Sequence, residues 1–102
     1  MRLEYSFSLD EIKTPRFAVE AQEGIGKLFT LATLAINVLD TRDAIEIVFH
    51  GLNPEDPQRK IASFKQIMET CSSAPDVVFE EGRAGRVADS SSSYQWLVVR
   101  RA

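Results

Sequence analysis

The chain predicts an α/β fold: a single domain holding a four-stranded mixed sheet and two main helices, in the order β-α-β-α-β-β. Three observations carry this. Leu34 to Phe49 reads as the end of an apolar helix, a polar turn Asp40-Thr41-Arg42-Asp43, and a strand Ala44-Ile-Glu-Ile-Val-Phe49 that stops at His50-Gly51, the way α/β units are built. Leu3, Tyr5, Phe7 and Leu9 alternate with Arg2, Glu4, Ser6 and Ser8, a period-2 strand with one polar face. Ile61, Phe64, Ile67, Met68 and Cys71 keep helical spacing, with Lys60, Ser63, Lys65, Gln66 and Glu69 on the other side.

Each element follows from its own signals. After the first strand, Thr14-Pro15 suits a helix start, a hydroxyl cap with proline in the first turn. Residues 14–26 are therefore read as a helix, bent or broken near Gly24 and Gly26, because an interior glycine costs about 1 kcal/mol. The competing reading is an extended Phe17-Ala-Val-Glu-Ala21 followed by a Gly turn. From Lys27 to Leu39 a narrow polar stripe of Thr30, Thr33 and Asn37 marks an otherwise apolar helix, expected to be buried on most sides. Asn53-Pro54-Glu55-Asp56-Pro57 opens the second helix, with an Asx cap and acids against the positive dipole end, and Ser72-Ser73-Ala74-Pro75 closes it. Asp76-Val-Val-Phe79 is a short third strand. Residues 82–93, poor in large apolar side chains and rich in Gly and Ser, read as a mobile loop. Tyr94 to Val99 is apolar on both faces and so reads as an interior strand.

Bulk properties exclude several classes. A length of 102 residues with 44% hydrophobic and 26% charged residues fits one soluble globular domain. A net charge of −3 argues against nucleic acid and against an anionic membrane surface, since phosphate binding needs a basic field. No signal peptide is expected from Met-Arg-Leu-Glu-Tyr. The longest apolar stretch, Leu28 to Leu39, falls short of the ~20 residues a membrane span needs. A single cysteine, unable to form an internal disulfide, fits a cytoplasmic protein.

Candidate chemistry is sparse. His50 is the sole histidine, at the end of the second strand beside Gly51. If the first two strands are parallel, Asp10 ends at the same carboxyl edge, where open α/β sheets bind ligands, and a His-Asp pair can serve acid/base work. Asp10, His50 and Gly51 are thus the ligand-binding candidates, against the plainer reading of a surface histidine and a capping aspartate. Cys71 sits near a helix C-terminus, where the dipole disfavours a thiolate, and reads as a core residue. Gly24-Ile-Gly26-Lys27 lacks the first glycine and the hydroxyl residue of a phosphate loop. One His and one Cys do not suffice for a zinc site without carboxylates. No catalytic residue, metal site or cofactor is assigned. With Tyr94, Trp96 and Val98 turned to the helices, Leu97, Val99 and Val48 point to the opposite face, where they are the interface candidates for a homodimer.

Two resemblances are local. The stretch Gly26 to Leu39 followed by Ile45-Glu-Ile-Val-Phe-His-Gly51 resembles the DsrE/DsrF-like family, in which an alanine-rich helix feeds a strand of this kind. The resemblance implies a small cytoplasmic α/β protein that oligomerises, with sulfur relay through a cysteine in some members. The place of that cysteine, after the third strand, holds Glu80-Glu81-Gly82 here, and no catalytic role passes to Cys71. Phe17 to Phe29 looks like the E-G-[LI]-x-x-L-F turn of phage-tail and secretion-spike proteins, which would make residues 17–39 two strands; the non-alternating helix 28–39 opposes it. The expected function is a non-catalytic, self-associating binding or protein-interaction module. The alternatives are a DsrE-like small-molecule or sulfur-transfer protein, and an immunity or antitoxin-type inhibitor.

Overall fold

The structure, a computed structural model, describes residues 2–5, 14–71, 75–87 and 92–102. It comprises β1 (Arg2–Tyr5), β2 (Pro15–Val19), α1 (Ile25–Leu39), β3 (Ala44–Gly51), α2 (Glu55–Thr70), β4 (Val77–Arg86) and β5 (Ser93–Arg101). The α/β class, the mixed sheet and the two main helices are as expected. The sheet has one strand more, in the order β1-β2-β3-β5-β4. Only β2 and β3 run parallel, joined through α1; the β1–β2, β3–β5 and β5–β4 pairs are antiparallel.

The extra strand corrects the helical reading of residues 14–26. Phe17 and Val19 point into the core at period 2, and Pro15, which has no N–H to give, occupies the first strand position, where a ladder tolerates it. Gly24 is extended (φ −94°, ψ −175°), so the helix starts only at Ile25. The same residues exclude the two-strand reading of 17–39, because Ile25–Leu39 is helical throughout.

Helix α1 buries Leu28, Leu31, Ala32, Ala35 and Leu39 along one stripe. It is less enclosed than its composition suggests: Ile25 and Phe29 remain 61% and 56% exposed. Helix α2 begins as its sequence foretells. The Asn53 side-chain oxygen accepts the N–H groups of Glu55 (3.0 Å) and Asp56 (3.2 Å), and Asp56 Oδ2 accepts those of Leu52 (2.9 Å) and Asn53 (3.3 Å). Two orphan amides of the helix end and two of the preceding turn are thereby satisfied. Its first turn lies directly on Gly51, where a Cβ would overlap that of Asp56 and approach Pro57 Cδ to 2.7 Å.

The expected loop 82–93 is corrected in part, since β4 runs through Gly82 and Gly85 to Arg86. It lies at the sheet edge, exposed over most of its length, so it lacks the apolar pattern of a buried strand. A bulge between Glu81 and Ala84 kinks it, and its glycines accommodate neighbouring rings: a Cβ on Gly82 would stand 3.0 Å from that of Trp96, and one on Gly85 would stand 2.9 Å from the Tyr94 hydroxyl.

Both helices pack on one face of the sheet. Phe17, Val19, Ile45, Ile47, Phe49, Leu97 and Val99 meet Leu28, Leu31, Leu39, Ile61, Phe64 and Met68 in one core, with the Phe49 and Phe64 rings tilted 58° at 5.8 Å. Leu97 and Val99 are fully buried here, which reverses the expected facing of β5. The aliphatic residues go inward. Tyr94 and Trp96, which carry polar groups, take the half-exposed face with Val98. The Cα envelope, 37 × 36 × 20 Å, is accordingly broad and thin. No helix among the described residues is long and apolar enough to cross a membrane.

Candidate functional site

The carboxyl edge of the parallel pair is the first place to look for a ligand. There the chain supplies its own cation. The backbone carbonyls of Glu20, Ala21 and His50 converge on Lys60 Nζ, which donates to them at 2.9, 2.8 and 2.9 Å. An ammonium has three protons, and all three are used. Burial lowers the Lys60 pKa from its ordinary value of 10.5, against the opposing pull of Asp56, Glu23 and Glu20. The edge is latched by α2 rather than open.

The expected pairing of Asp10 with His50 loses its premise at this edge. β1 is antiparallel to β2 and its far end, Tyr5, lies opposite Pro15, at the end of the sheet where β3 begins. Asp10 itself lies outside the described residues. His50 stands opposite Tyr94 on the face away from the helices, and Gly51 lies buried beneath α2. Cys71 follows the last turn of α2, half-buried, in the wall of a cavity of about 400 Å³ that also touches Met68 and Phe79. Among the described residues no three of His, Cys, Asp or Glu gather as a metal set.

The residues that do form a coherent surface lie on the sheet face that neither helix covers. Strand register arranges them in rows. Ala18, Val48 and Trp96 stand side by side, with Gly82 beyond; the next row is Arg16, Glu46, Val98 and Glu80. Arg16 Nε donates to Glu46 Oε2 at 2.7 Å, and its guanidinium carbon is 5.8 Å from the Trp96 ring centroid. Arg100 pairs with Glu80 on the same face. Arg16, Glu46, Trp96 and Val98, with Gly82 and Arg83, line a shallow depression of about 300 Å³. The surface is thus an apolar centre of Val48, Trp96 and Val98 flanked by charges of both signs.

Of the three interface candidates read from the sequence, Val48 belongs to this face. Leu97 and Val99 do not, because they are core residues. Trp96 and Arg16 are members that sequence reasoning misses. The signal that could have found Trp96 is chemical: between two inward options on β5, the aliphatic pair is the better core. Arg16 has no such signal, since Thr14-Pro15 marks the strand that carries it as a helix start. No protein-family model matches the chain, and a search of curated proteins finds no match either.

Proposed function

We propose that the protein is a non-catalytic interaction module of the cytoplasm that pairs with a second copy of itself through the sheet face that neither helix covers. The observation that carries this reading is the half-buried Val48–Trp96–Val98 centre on a face that neither helix covers. A two-fold pairing suits it, because an isologous contact needs a self-complementary patch. The charges that flank the centre, Arg16 with Glu46 and Arg100 with Glu80, are paired within the chain and leave the face without net charge to repel a second copy. A five-stranded sheet face is of the order that can supply the roughly 800 Å² per partner of a stable interface. The test is light scattering on a concentration series of the wild type and of Val48→Lys. A dimer that becomes a monomer in the variant supports the reading. A monomeric wild type at every concentration, or a dimer that survives the substitution, removes it.

A second reading, sulfur transfer of the DsrE-like kind, is favoured by one observation, the cavity of about 400 Å³ beside Cys71. Treatment with a persulfide donor followed by intact-mass measurement decides it. A sulfur adduct localised to Cys71 supports transfer; its absence ends that reading.

A further inference from the structure

A second cavity, of about 270 Å³, lies where the start of α2 meets the β4–β5 ladder, and its wall includes Pro54, Gln58, Arg86, Ser93, Tyr94 and Gln95. It is separate from the open sheet face. Ser93 and Arg86 are register partners, and the burial of Ser93, Gln95, Leu97 and Val99 places this side of β5 under the helices. Ser93 is 3% exposed, yet its hydroxyl has no hydrogen-bond partner among the described residues. A buried hydroxyl left unpaired is costly, so a strand keeps one where something else completes it. The neighbouring Gln95 is held in place by its own amide, which donates to Glu81 Oε1 at 2.9 Å.

We infer that this cavity binds a small monocarboxylate. Arg86 supplies a guanidinium fork that matches a planar carboxylate, Ser93 supplies a buried donor, and the positive end of the α2 dipole opens beside Pro54. The same surroundings disfavour a dianion such as phosphate. Glu55 and Asp56 stand in the first turn of α2, and the amides of Glu55 and Asp56 are already taken by Asn53. Pro54 gives the short tail of the acid an apolar surface to lie against. The volume suits a compact metabolite rather than a peptide.

The experiment is a titration of the full chain with sodium propionate, followed by amide chemical shifts at ionic strength matched with sodium chloride. Saturable shifts at Ser93, Arg86 and the Gln95 side chain are expected, with affinity falling about tenfold or more in Ser93→Ala and in Arg86→Gln, each replacing a hydrogen bond to a charged group. Arg86 is exposed, so its variant folds even if Ser93→Ala shifts the helix. Shifts that fail to saturate, that chloride reproduces, or that persist in both variants overturn the site. Tighter binding of inorganic phosphate in the same assay overturns the assignment to a carboxylate.

Discussion

Lys60 closes the carboxyl edge of the parallel pair. Its ammonium ties the ends of both parallel strands to α2. Lys60→Met keeps the aliphatic stem and leaves three carbonyls without their donor, so a loss of about 2–4 kcal/mol is expected in urea denaturation. The pH dependence has a definite sign. Burial lowers the folded-state pKa below 10.5, so between that folded value and 10.5 the unfolded chain binds more protons at this position. The wild type therefore gains stability relative to Lys60→Met as pH rises through that window, and the penalty is complete below it. Paired urea melts at stepped alkaline pH check this; a difference that shrinks as pH rises contradicts it. Gly51→Ala is expected to cost about 3 kcal/mol, since the new methyl meets Asp56 and Pro57, backbone-anchored atoms that yield only if α2 lifts. The Asn53 cap is legible in the sequence because its partners are two and three residues away. The Lys60 latch is not, because its partners at Glu20 and Ala21 are backbone carbonyls 40 and 39 positions distant, and a carbonyl leaves no trace in residue identity.

At the level of elements, β3 and both main helices are legible because their apolar spacing is unambiguous over long stretches. β2 is not, because Thr-Pro is an equally good opening for a helix and for a strand, and only the core partners of Phe17 and Val19 decide between them. Only the start of β4 shows in the sequence, for the opposite reason: an edge strand with charged residues and a bulge carries little apolar signal. Glu80, Glu81, Arg83 and Arg86 along that strand also discourage a further strand from adding to the sheet. Gly26, by contrast, lies within α1, and a methyl group added to it would meet nothing within 4 Å. Gly26→Ala should raise stability by about 0.5–1 kcal/mol through lost freedom of the unfolded chain, read as a higher urea midpoint with an unchanged slope.

For the whole molecule, the α/β class follows from sequence, whereas the facing of β5 does not, and the candidate site changes with it. A strand apolar on both sides gives no internal vote on which side is the core. The two-layer arrangement, helices above and nothing but strand side chains described below, makes stability and association one linked quantity if the dimer forms. The midpoint of thermal unfolding should then climb with protein concentration in the wild type and be independent of it in Val48→Lys. A concentration-independent midpoint in both proteins would refute the linkage.

The strand order carries a consequence for how the chain acquires its shape. β3 finds its antiparallel neighbour in β5, Ala44 opposite Arg100, across most of the intervening sequence. Closing so long a loop is slow, whereas β4 and β5 meet locally across a hairpin. During synthesis β3 and α2 emerge well before β5 and must wait with one ladder edge unmet. The nascent chain therefore passes through an interval in which β3 is half-zipped, paired on its β2 side and unmet on the side that β5 later takes.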